Sequence, residues 1–396
     1  MTVYEGELLG HAMDRILPGP NETRLLRAIL HRGDSAHASW EVFQDGLSDL
    51  PALFRTDAGN RKRLSPLLLQ SIRENRLTAD PKLLTILKTA TLREELRSAI
   101  VRRIAGEVYE ALRSRDVPFI VLKGAALSES VYADPTWRHA HDIDLLFPPD
   151  AVDLATAVVS DVGLREAPRL PWDQGRDFRH SSELPFLLLS RLFRVPFYRA
   201  PFEELGTRAR TLTRDVLGAF QVLDPTDALL HCLGHASYCP GRSNLLWVVD
   251  AWMILHHSEL DWDAFSRRMA EMRLEVPVAT MVRYLADEVD APIPAEAIER
   301  ATSALSSANA LRRDVALFGA RQASLQHPGL RGRSALTWRG RLKLLRWELL
   351  PSPAYLDWAY GHPPRLTLPG IYLARPVSAL TERIKWCLIR SLRRDR

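Results

Sequence analysis

In the N-terminal part of the chain, apolar side chains return every three or four positions, the spacing of one helix face. Residues 21–33 show it first, with Asn21 read as the N-cap. Ala38–Leu47 and Leu64–Arg76 repeat it. Lys82–Leu112 extends it into one long helix through Leu83, Leu87 and Ala90, then Leu92, Leu96, Ile100 and Ile104. Residues 1–20 read as a loosely attached leader closed by Pro18-Gly19-Pro20, and residues 1–112 as a helical region without chemistry.

The period changes at Val117. Val117–Leu122 is a short β-branched and aromatic run, the mark of a buried strand. A small helix is expected over Ala125–Tyr132 and a second buried strand over Ile143–Phe147. A helix begins at Pro148-Pro149-Asp150 and ends before Gly163. Ser182–Ser190 is read as a further strand, placed at the sheet edge because of Pro185. From Leu205 the pattern is helical again: Thr226–Tyr238, Leu245–His256, Asp261–Arg273, Val276–Asp287 and Ala295–Phe318. The expected fold is α+β. A small mixed-sheet core (113–204) lies between an N-terminal and a C-terminal helical region (205–330), followed by a Pro-rich basic tail (331–396) ending in an amphipathic helix from Ser378.

Composition adds little beyond excluding disorder, collagen-like and disulfide-stapled folds: 46% of residues are apolar and 26% charged. Three cysteines (Cys232, Cys239, Cys387) form no disulfide framework and fit a reducing, cytoplasmic setting. The first residues carry Glu5, Glu7 and Asp14 and lack a leader's apolar core, and no run is long enough to span a membrane. The net charge of +5 conceals an asymmetry: residues 331–396 hold 14 Lys and Arg against 4 Asp and Glu. Any polyanion contact is therefore expected in the tail.

The chemistry concentrates in Leu122–Phe147. Asp142 and Asp144 flank Ile143 at the start of a strand, where residues two apart share a face. Two carboxylates so close raise each other's pKa unless a cation joins them, and Mg²⁺ prefers such oxygen donors. A carboxylate pair holding one or two Mg²⁺ is machinery for phosphoryl or nucleotidyl transfer. Just upstream, Lys123-Gly124 closes a strand and opens a helix, where glycine allows close approach and free N–H groups attract phosphate. Lys123 adds a point charge, and Arg138 is placed to reach a triphosphate. Alone, an Asp-x-Asp or a Lys-Gly is common; in this order and spacing they are specific.

The chain resembles the uncharacterised nucleotidyltransferase family of the DNA polymerase β-type superfamily. The resemblance rests on Val117–Leu122, Lys123, Gly124, Leu127, Tyr132, Asp134, Pro135, Arg138 and Asp142–Leu146. It extends to Ser39-Trp40-Glu41, Leu64–Leu68, Asp227–His231 with His235, Leu246–Asp250 and Pro351–Leu356, covering roughly residues 20–380. It implies a polymerase-β-like core, NTP as substrate, Asp142 and Asp144 as ligands of a two-Mg²⁺ site, and Lys123, Gly124 and Arg138 facing the nucleotide. The superfamily usually takes a third carboxylate from a later strand; Glu183 is the candidate here, with Pro185 beside it an atypical setting. Three outcomes stay open: Glu183 serves as third ligand and base, the acceptor supplies its own anion, or catalysis is lost.

The expected function is thus Mg²⁺-dependent transfer of NMP from NTP to a hydroxyl acceptor, with pyrophosphate released. The acceptor is unidentified: a small molecule, a peptide or protein, or RNA. Alternatives are a degenerate nucleotide- or partner-binding module and kinase-like transfer of the γ-phosphate. His231, His235 and Cys239 fall at helical spacing, but a zinc site lacks an obvious fourth ligand. Residues 383–396 interleave Arg and Lys with apolar residues. That pattern suits an anionic surface or RNA, and equally a solvated helix face.

Overall fold

The computed structural model describes residues 16–55, 58–167, 175–193, 198–238 and 245–307, together with Gly370 and Tyr372. Apart from those two residues the tail, including its Pro351–Leu356 segment, lies outside the described residues, as does Cys239.

The helical spacing at the start becomes α1 (Pro20–Leu30), α2 (Asp34–Asp45), α3 (Leu50–Arg55), α4 (Ser65–Asn75) and the long α5 (Pro81–Ser114). Helix α1 starts one residue before Asn21, with Gly19 at the cap, and Asn21 Oδ1 instead accepts from Arg24 Nη1 at 2.6 Å. Helix α5 starts where Asp80 accepts from the Lys82 amide, with Pro81 in the first turn. Its two ends are buried, but Leu92, Leu96 and Ile100 in the middle are exposed. Their periodicity predicts a helix correctly without predicting burial.

Strands β1 (Ile120–Leu122), β2 (Ile143–Leu146), β3 (Arg165–Glu166), β4 (Gly175–Arg179), β5 (Pro185–Leu189), β6 (Arg210–Arg214) and β7 (Gly218–Val222) form one mixed sheet. The order is β3-β4-β5-β2-β1-β7-β6. This is the α+β fold expected, with more strands than the sequence suggested. Two expectations are corrected. Residues 210–222, read as helical, form an edge hairpin beside β1. Strand β5 is not an edge: it lies between β4 and β2, and Pro185 is its first residue, where a missing N–H is tolerated.

Helix α6 (Lys123–Ser130) follows β1, α7 (Val152–Asp161) follows β2, and α8 (Phe202–Arg208) precedes β6. The C-terminal helices are α9 (Pro225–Ala236), α10 (Leu246–His257), α11 (Trp262–Glu271), α12 (Glu275–Val289) and α13 (Ala295–Ser307). Because strand side chains alternate, the two sheet faces join different cores. Val121, Ile143, Leu145, Phe186 and Leu188 pack with the C-terminal half of α5 and with α7. Ile120, Leu122, Leu146 and Leu189 join the larger core of N-terminal and C-terminal helices. Asp142 and Asp144, at alternate positions to Ile143, belong to this second face. No helix among the described residues is long and apolar enough to cross a membrane.

Candidate active site

A cavity of about 420 Å³ opens between the β1–α6 turn, the loop before β2, and helices α9 and α10. Lys123, Gly124, Arg138 and Asp142 all line it. Asp144 is buried just behind, 1% exposed, and accepts from Lys123 Nζ at 2.8 Å. Asp142 remains partly open, with His141 Nε2 3.6 Å from its Oδ2. Lys123 has a left-handed backbone (φ 52°), which turns the chain sharply from β1 into α6. Burial, helped by the Lys123 charge, pushes His231 of α9 down to about 3, so this imidazole is neutral at pH 7.

The loop before β2 is held by its own motif. Asp134 caps a turn of 3₁₀ helix (Pro135–Trp137) by accepting from the Thr136 amide at 2.8 Å. Arg138 then makes a two-pronged pair with Asp250 of α10: Nε to Oδ1 at 2.6 Å and Nη2 to Oδ2 at 2.8 Å. Its Nη1 donates to the His139 carbonyl. Tyr132 OH donates to Asp250 Oδ1 at 2.7 Å. Burial, and next the Asp250 charge, lifts the Tyr132 phenol well above its ordinary range, so it stays a donor. Arg138 is therefore in the site but committed to Asp250. Gly124 matters for a related reason: a Cβ there would lie 3.0 Å from Arg138 Nη1.

Glu183 is not brought to this cluster. It sits in the β4–β5 turn at φ 63°, its side chain 67% exposed and 3.4 Å from Arg165 Nη2. The position that does face the carboxylates is Leu187. Strand β5 runs parallel to β2 with Leu187 opposite Asp144, and Leu187 lines the cavity. The sequence offers one signal for this: register across β5 counts in steps of two from Pro185. Among the described residues no group of three or more His, Cys, Asp or Glu is arranged to hold a metal. The His231 and His235 rings are 6.0 Å apart, with His235 Nδ1 bonded to Tyr238 OH at 3.0 Å. Cys232 is a half-buried thiol with its pKa raised, chiefly by desolvation. Of the residues gathered here, Leu187 is the one that motif reading did not single out; Tyr132, His231 and Asp250 stand in the motif segments, but their place at this cavity comes from the packing.

A mixed sheet bearing an Asp-x-Asp strand beside a Lys-Gly turn, above one cavity, defines a nucleotidyltransferase-like unit. The chain matches the family described as "Uncharacterised nucleotidyltransferase" over residues 55–289, and it belongs to that family. No curated protein matches it. Among solved structures it is similar to an antigenic nucleotidyltransferase-like protein from Paracoccidioides brasiliensis. Identity is 13%, the alignment covers 50% of this chain and 95% of that one, and the TM-score is 0.32, too slight a likeness to bear on mechanism.

Proposed function

We propose that the cavity binds a nucleoside triphosphate together with Mg²⁺, and that the chain transfers NMP to an acceptor hydroxyl with release of pyrophosphate. The observation that carries this reading is the convergence of Lys123, Gly124 and Asp142 on one cavity, with Asp144 directly behind. The donor set suits one hard cation. Asp142 offers a carboxylate to the cavity, and the nucleotide's own oxygens complete an octahedral shell. Bound there, Mg²⁺ would neutralise the triphosphate and polarise the α-phosphorus. Lys123 supplies a fixed positive charge beside the phosphates, and the amides at the start of α6 add N–H donors. Asp144 holds the Lys123 ammonium in position. Arg138, locked by Asp250, shapes the wall behind Gly124. The acceptor would enter along the flanking helices.

The test is transfer of label from α-³²P-NTP, with pyrophosphate measured in parallel. Asp142→Ala together with Asp144→Ala should abolish both signals; label transfer that survives would refute the reading. A second reading, nucleotide binding without turnover, is favoured by Leu187 opposite Asp144. Calorimetry that detects NTP binding while no pyrophosphate or NDP appears would select it.

A further inference from the structure

The carboxylates that a second cation would need are missing in a specific way. In the sheet, Asp144 is opposed on one side by Leu122 of β1 and on the other by Leu187 of β5. Directly opposed residues leave the sheet on the same face, on strands about 4.8 Å apart. The position best placed to share an ion with Asp144 thus carries an isobutyl group. The next acid on that row, Asp177 of β4, pairs with Leu187 and so stands a strand further out, about 10 Å from Asp144. Glu183 is turned away toward Arg165 and Arg179. Asp250 is committed to Arg138 and Tyr132.

The charges point the same way. Asp142, Asp144 and Lys123 sum to a single negative charge, with the Lys123 ammonium 2.8 Å from Asp144 Oδ1. Two Mg²⁺ ions about 4 Å apart repel four times as strongly as two unit charges at that distance. Holding them requires carboxylates that bridge and offset them. One cation delivered by a triphosphate needs no such bridge, because the phosphate oxygens bring the compensating charge.

We propose that this chain is built for one divalent cation, the one that enters with the nucleotide, and that Leu187 and Lys123 together exclude a second. This rests on the nucleotide-binding reading above. Leu187 is then the residue that decides cation number, and the Lys123 ammonium supplies charge on the Asp144 side of the site.

The experiment counts Mn²⁺, as a paramagnetic substitute for Mg²⁺, bound to the full chain with α,β-methylene analogues of ATP, GTP, CTP and UTP. The expected result is one Mn²⁺ per bound nucleotide for wild type and for Leu187→Asn, and two for Leu187→Asp. Two in wild type overturns the proposal, as does one in a folded, nucleotide-binding Leu187→Asp chain. If Leu187→Asp does not fold, Lys123→Gln carries the test: nucleotide-free Mn²⁺ affinity should rise by about tenfold when the ammonium is removed. Unchanged affinity overturns the proposal. Failure of wild type to bind any of the four analogues would instead refute the nucleotide-binding reading, so the two failures are distinguishable.

Discussion

Replacing Asp250 by Ala should be among the most destabilising single changes available in this chain. The carboxylate is 6% exposed and its Arg138 partner 10%, and the two contacts are 2.6 and 2.8 Å long. Burial depresses the Arg138 pKa and the Asp250 charge raises it; without Asp250 only the depression remains, but an arginine starts so far above neutrality that the guanidinium stays charged after the substitution. Breaking a buried pair from one side costs about 3–5 kcal/mol, because an uncompensated charge remains. The Tyr132 hydroxyl also loses its acceptor, adding about 1 kcal/mol. The expected loss is therefore about 4–6 kcal/mol, read from urea unfolding midpoints and slopes. Arg138→Met combined with Asp250→Leu should lose at least about 2 kcal/mol less than Asp250→Ala alone, since an apolar pair leaves no buried charge. Nucleotide affinity should fall in both variants, because Gly124 packs against the guanidinium. An Asp250→Ala chain within about 1 kcal/mol of wild type would refute the claim that this pair holds the site together.

Gly106→Ala should destabilise by about 2 kcal/mol or more in the same assay. Its Cβ would overlap the Val216 carbonyl oxygen, and this backbone clash outweighs the helix propensity that alanine gains in α5. His231 gives a pH signature. Its folded-state value of about 3 lies below the ordinary 6.5, so the unfolded chain binds the extra proton. Its contribution is complete above pH 6.5 and declines as pH falls toward 3, by up to about 1.4 kcal/mol per unit. His231→Leu should flatten the stability slope between pH 6.5 and 4 by one proton; an unchanged slope would show that the imidazole titrates normally.

Much of this was legible because local signals carried it. The Asp-x-Asp strand, the Lys-Gly turn and the long helices are written in short-range spacing, and Asp80, Asp224 and Asp261 cap helices as their sequence context suggests. The β6–β7 hairpin escaped because it is the sheet's edge: Arg210-Thr211-Leu212-Thr213-Arg214 has one apolar residue, too few to mark a strand. Glu183 was the natural third acid by sequence proximity, but tertiary register decides which residue faces Asp144, and it selects Leu187 four positions later. The Arg138–Asp250 pair joins residues 112 positions apart, and only the packing of α10 against the loop makes it.

The signature residues divide into two kinds by what they touch. Tyr132, Asp134, Pro135, Arg138 and Gly124 cap, brace or pack the loop and turn, with Asp250 at their centre. Lys123 and Asp142 instead line the cavity with charge, and Asp144 pairs with Lys123 directly behind. A chain keeping the full signature therefore keeps the shape of the cavity first and its chemistry only second. Leu187, which stands opposite Asp144, lies outside the signature on a neighbouring strand. The family match over residues 55–289 thus takes in both the residues that shape the cavity and the charged ones beside it, while Leu187 enters the site through strand pairing alone.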